Sequence, residues 1–127
     1  MTPRYLSENQ ITDLRQNFLD SVGVYINSKA AAKRYENLTR MFRIVKRYSP
    51  KMRPQARAEF GEFVSKHLLK KAKNAAAKGR VEDVKRIDEG LSKIHQLTKC
   101  PSDYCASIAP ILERVDEEDL FRIYFSE

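Results

Sequence analysis

The stretch PQARAEFGEFVSKHLLKKAKNAAAKGRVEDVKRIDEGLSKI, residues 54 to 94, settles what kind of fold this chain adopts. Phe60, Phe63, Val64, His67, Leu68 and Ala75 recur at spacings of three and four, and Lys66, Lys70 and Lys73 fall on the other side of the same cylinder. Pro54 suits the first turn of a helix, where its missing N–H costs nothing, and Gly79 suits a helix end. Val81, Val84, Ile87, Leu91 and Ile94 then begin a second helical stripe after only Gly79 and Arg80. So short a turn makes the two helices antiparallel neighbours in a hairpin. Gly90 lowers the propensity of the second helix without breaking it.

The same period runs outward in both directions. Toward the N-terminus, Ser49-Pro50 and Arg53-Pro54 interrupt the pattern, because each proline removes a donor and restricts the residue before it. Ahead of them Tyr35, Leu38, Met41, Phe42, Val45 and Tyr48 share one side of a strongly amphipathic helix over Lys29 to Tyr48, opposite Lys33, Arg40, Arg43 and Arg47. Ser7 with Gln10 forms a capping box for a first helix over about residues 8 to 26, carrying Ile11, Leu14, Phe18, Val22, Tyr25 and Ile26. Toward the C-terminus, KCPSDYC reads as a connector, with Ser102 or Cys100 as cap of a fifth helix holding Tyr104, Ile108, Ile111, Leu112 and Val115, kinked at Pro110. The acids 116 to 119, DEED, match the positive end of a short last helix with Leu120, Phe121, Ile123 and Tyr124. No strand pattern or repeat interrupts this series. The expectation is an all-α chain, one helical bundle of five to six helices spanning residues 1 to 127.

Composition agrees. The chain has 127 residues, enough for one apolar core, with 42% hydrophobic and 32% charged residues and only four glycines. The first ten residues lack an apolar leader run, and no apolar stretch approaches bilayer length, so a soluble, cytoplasmic protein is expected. Two cysteines are too few for a disulfide scaffold and fit a reducing compartment.

The charge is unevenly placed. Residues 29 to 86 hold 18 lysines and arginines against five acids, a balance of +13, so with a total of +7 the rest of the chain sums to −6. The densest part, residues 40 to 57, carries seven cations and no acid. Such a block produces a field that attracts polyanions.

Catalytic chemistry finds no constellation. His67 lies on an apolar stripe and reads as a structural, hydrogen-bonded residue. Cys100 and Cys105 have the spacing of a zinc half-site, but the chain has no second cysteine pair, leaving only His95 and His67 to complete four ligands. Consecutive acids at a helix start complement its dipole and need no metal. Phosphate-loop, GxSxG and HExxH motifs are missing. The chain is therefore read as a non-enzyme, with no metal and no cofactor.

Polyanion binding is the reading the charge favours, through a single cationic surface to which the second and third helices and the connector between them all contribute. Arg40, Arg43, Arg47, Arg53 and Arg57 are the candidate bidentate phosphate ligands, and Lys33, Lys46, Lys51, Lys66, Lys70, Lys71 and Lys73 the point charges, with Glu59 and Glu62 as the only acids spaced to pair with the third helix's lysines. Tyr48 is a candidate for stacking on a base. DNA or RNA is thus the expected partner, read through its backbone, since no short helix-turn-helix is present. A membrane is not, because the apolar helix sides are needed for the core. The alternative is a protein adaptor whose basic face docks an acidic partner.

The segment RAEFGEFVSKHLLKKA, residues 57 to 72, set in a short, basic, all-helical chain, resembles the small subunits of CRISPR effector complexes. The resemblance covers about a quarter of the chain and rests on size, charge and one aromatic-rich helix. It implies a non-catalytic bundle in an antiviral ribonucleoprotein, touching neighbouring subunits, including copies of itself, and lining a path for DNA. On that likeness Arg57, Lys66, Lys70 and Lys73 would face nucleic acid.

Overall fold

The computed structural model describes residues 4 to 125, and the side chains within them as far as Val115. Five α-helices follow one another: α1 (Glu8–Asn27), α2 (Ala31–Tyr48), α3 (Pro54–Ala77), α4 (Val81–Thr98) and α5 (Tyr104–Phe125), with a 3-10 turn, Ser49–Lys51, between α2 and α3. The all-α bundle read from the sequence is present, with five helices.

Local chemistry explains the boundaries. The Ser7 hydroxyl accepts from the Gln10 N–H at 3.2 Å while the Gln10 side chain accepts from the Ser7 N–H at 2.8 Å, the reciprocal capping box that starts α1. Pro54 occupies the first turn of α3, and Gly79 turns the chain at φ 71°, a conformation glycine adopts without a Cβ penalty. Lys99 ends α4 at φ 56°, and Pro101 prevents the helix from resuming.

Two expectations for the C-terminal third are corrected. The cap of α5 is Asp103, neither Ser102 nor Cys100: its carboxylate accepts from the Ala106 N–H at 2.9 Å, and its carbonyl accepts the first helical bond from Ser107. Residues 116 to 119 begin no sixth helix, because α5 runs through them without a break. Pro110 sits inside that helix, where it removes a single donor and the flanking turns carry on. The contacts expected for Leu120, Phe121, Ile123 and Tyr124 lie outside the described residues.

The core joins all five helices. Phe18 of α1, Leu38, Met41 and Val45 of α2, Met52 of the connector, Phe60, Val64 and Leu68 of α3, Ile87, Leu91 and Ile94 of α4, and Ile108 of α5 form one cluster. A satellite of Ala75, Val84 and Val115 continues it toward the α3–α4 turn. α4 is the central element and packs on α2, α3 and α5, while α1 packs on α2. Phe18 also reaches across to α3, with its ring edge-on to Phe63 at 5.9 Å and to His67 at 6.1 Å. α1, α2, α4 and α3 thus stand at the corners of a square, and α5 covers the α3–α4 side.

Two internal glycines serve close approach. A Cβ on Gly61 would overlap the Thr98 side chain, and one on Gly90 would overlap the Phe42 ring. The propensity lost at Gly90 is thereby exchanged for a tight α2–α4 contact.

One polar cluster is built into this interior. Asp83 of α4 is 1% exposed and accepts from Arg34 Nε of α2 and from the Tyr25 hydroxyl of α1, both at 2.8 Å. Arg34 Nη2 reaches the other carboxylate oxygen at 3.3 Å, and Nη1 donates to the Lys29 carbonyl at 2.6 Å. Burial, and then the Asp83 carboxylate, push the Tyr25 phenol far above its usual range, so it stays a donor at any working pH. Removing one partner of a buried pair leaves an uncompensated charge. Asp83→Ala is therefore expected to destabilise the fold by about 3–5 kcal/mol, and Tyr25→Phe by about 1–2 kcal/mol, measured by urea unfolding. A loss below about 1 kcal/mol for Asp83→Ala would contradict this role.

Candidate nucleic-acid interface

α2 supplies the densest part of the basic surface. Arg34 points inward to Asp83, and since each residue advances 100° around a helix, Arg43 lies about 180° away and crowns the outer face. Arg40 and Arg47 lean toward α1, where they line a groove with Asn17, Asp20, Ser21 and Tyr48. Lys46 leans the other way, into a groove between α2 and α4. Lys33, Arg40, Arg43, Lys46, Arg47, Lys51 and Arg53 are all exposed. They follow the length of α2 into the connector.

Aromatic rings steady the lower end of this face. The Arg47 guanidinium lies 5.4 Å and the Lys51 ammonium 5.6 Å from the centre of the Tyr48 ring, and Arg53 sits 5.0 Å over Tyr5. Tyr48 is half-buried between cations, so its ring holds those charges in place. Tyr5, exposed at the same end, precedes the first helical stripe, so no local period in the sequence marks it.

The α3 cations form a second face. Lys66 and Lys70 are exposed on the outer side, Lys73 turns toward α5, lining a groove with Lys78, Ile111 and Arg114, and Lys71 and Arg57 are half-buried. α2 and α3 occupy diagonal corners of the square, so their outer faces look away from one another. Lys51, Arg53 and Arg57, around the connector, are where the two faces come nearest. The single surface expected of helices two and three is thereby corrected: because α4 packs between them, the twelve predicted residues fall into two surfaces joined at one end.

Neutralisation is lighter than helical spacing suggests. Among the described residues the twelve cations form no ion pair; the pairs present are Arg34 with Asp83 and Arg86 with Glu82. Glu59 accepts from Gln55 at 3.4 Å. Glu62 is committed to α5, accepting from the Tyr104 hydroxyl at 2.6 Å and the Ser102 N–H at 2.8 Å. Burial opposes the Glu62 charge, but these hydrogen bonds and nearby Lys66 outweigh it and hold its carboxyl below the usual range. The Tyr104 phenol is pushed up to about 12 by burial and by the same carboxylate.

His67, Cys100 and Cys105 lie within the helix packing or at its edge. His67 packs edge-on to Phe63 at 4.8 Å and to Phe18, an aromatic setting in place of the expected hydrogen-bonded one. Burial and then Lys70, Lys71 and Lys66 lower its pKa, keeping the ring neutral near pH 7. Cys100 is buried, with Sγ 3.6 Å from His95 Nδ1, and both cysteines are free. The Cys105 thiol is raised by burial and by Asp103, Asp88 and Cys100, which disfavours the reactive thiolate. Among the described residues no three His, Cys, Asp or Glu side chains converge as a metal set, and no helix is long and apolar enough to cross a membrane.

No protein-family model, curated protein or solved structure matches the chain. What the molecule offers is its own geometry.

A pH prediction follows from Glu62. Its folded pKa is depressed, so its contribution is present above the unfolded value and lost as pH falls through the folded one. Tyr104→Phe should therefore cost about 1–2 kcal/mol at pH 7 and progressively less on acidification, followed by denaturant unfolding at several pH values. A cost that stays equal throughout acidification would show that Glu62 is not the partner that matters.

Proposed function

We propose that the chain is a non-catalytic nucleic-acid-binding subunit that contacts phosphate backbones through the outer face of α2 and the connector. The observation that carries the reading is the exposed row Lys33, Arg40, Arg43, Lys46, Arg47, Lys51 and Arg53, free of ion pairs with described acids. Exposed like charges along one helix repel one another, and a string of phosphates relieves that repulsion while releasing condensed counterions. Arginine forks suit bidentate phosphate contact, and rings beside Arg47, Lys51 and Arg53 lower the entropy lost when these side chains are fixed.

The α3 face, with Lys66, Lys70 and Lys73, is a second, weaker contact for the same polymer or for an adjoining part of a larger assembly. A cytoplasmic nucleoprotein complex is the setting this two-faced arrangement suits, and the resemblance of residues 57 to 72 to CRISPR small subunits points to the same kind of assembly. Base edges play no part, so binding follows backbone charge and not sequence.

The faces are separable by charge reversal. Arg43→Glu with Arg47→Glu should weaken binding of a 20-nucleotide oligomer at least about tenfold, or ~1.4 kcal/mol, with circular dichroism unchanged. Lys66→Glu with Lys70→Glu should weaken it by a smaller factor. Full binding by the α2 variant, measured by fluorescence anisotropy, would refute the assignment.

A further inference from the structure

The groove between α2 and α4 differs in chemistry from the crest of α2. Its volume is about 640 Å³, and its floor is Tyr35, Leu38, Phe42, Ile94 and Leu97. Arg43 and Lys46, shared with the phosphate-facing row, stand on the α2 bank, and Arg86 and Lys93, which belong to the groove alone, on the α4 bank. Phosphates alone would leave that apolar floor unfilled. On each bank the lining residues span twelve positions, Tyr35 to Lys46 and Arg86 to Leu97, whose ends lie about 16 Å or three helical turns apart.

We infer that this groove docks an acidic amphipathic helix of a partner protein. A three-turn helix laid along it presents apolar residues at i, i+3 or i+4, and i+7 to the floor, with the half-buried Phe42 and Leu97 side chains as its main contacts. Carboxylates flanking that stripe reach the two cationic banks. Arg86 is already aimed across the groove, its guanidinium 4.1 Å over the Tyr35 ring, and its exposed bridge to Glu82 at 3.2 Å is of the kind worth little and easily exchanged.

Glu89 is the exception on the α4 bank and sets register. It repels a carboxylate placed opposite and favours a neutral or cationic residue at that one turn, so the banks select a pattern as well as a sign of charge. The sequence concealed the site because Arg86, Glu89 and Lys93 belong to α4, which carries no dense cationic run.

The probe is a fluorescein-labelled 15-residue synthetic helix with leucine or phenylalanine at every third or fourth position and glutamates on both flanks. A scrambled peptide of the same composition and a 15-nucleotide oligothymidylate serve as comparisons. The patterned peptide should bind at least about fivefold tighter than the scrambled one, with amide shifts at Thr39, Phe42, Gly90 and Leu97. Lys93→Glu, an exposed change outside the phosphate surface, should weaken the peptide about tenfold and leave the oligonucleotide unaffected, while Glu89→Gln should tighten the peptide. Equal affinity for patterned and scrambled peptides would overturn the inference. So would an equal effect of Lys93→Glu on both ligands, which would make the groove part of the nucleic-acid surface; loss of oligonucleotide binding in the wild type alone would count against the phosphate surface and not against the groove.

Discussion

A carboxylate that is 1% exposed and receives hydrogen bonds from two other helices fixes how this bundle is assembled. Asp83 sits in the first turn of α4, where the positive end of the helix already favours an anion, and it collects Arg34 from α2 and Tyr25 from α1. An apolar core of leucines, isoleucines and phenylalanines tolerates small rotations of its helices; a buried ion pair with three well-placed hydrogen bonds does not. Such a pair need not add more stability than packed apolar side chains would, and its value here is in orientation. With Arg34 held inward, the rotation of α2 is set, and Arg40, Arg43 and Arg47 have only the outside left to them. The interior interaction thus determines the exterior field.

The square arrangement has an equally direct electrostatic consequence. Were α2 and α3 neighbours, their cations would lie within a Debye length, about 8 Å at physiological salt, and repel strongly. The placement of α4 between them moves most of that charge apart and leaves the connector as the junction. The bundle accommodates its central excess of +13 by showing it on two sides. The acid best spaced to soften the α3 face, Glu62, is drawn off to hold α5 in place.

Most of the helices were legible because an apolar side chain at every third or fourth position has little use except to bury one face. The hairpin at Gly79 was equally plain, as two residues permit few connections. The C-terminal third was harder. Cys100, Ser102 and Asp103 stand close together as potential caps, and only the geometry of the chain beyond Lys99 selects Asp103. Consecutive acids at 116 to 119 suit a helix start, yet acids are also tolerated within a continuing helix, and α5 continues. Arg34 and Asp83 are readable in principle, since each falls on the apolar stripe of its helix beside Leu38 and Val84, but charge alone does not separate them from the surface cations and acids around them. The diagonal relation of α2 and α3 was not readable, because it depends on where α4 inserts, which no local period encodes.

The central claim is that the outward row on α2 meets a chain of phosphates with its cations unpaired by any described acid, and the dependence of affinity on ionic strength tests it most directly. If five to seven of those cations displace counterions, log affinity for a single-stranded oligomer should fall with log salt with a slope of about −3.5 to −5. A slope near zero between 50 and 300 mM salt would mean that these charges remain hydrated in the complex, and would contradict the account.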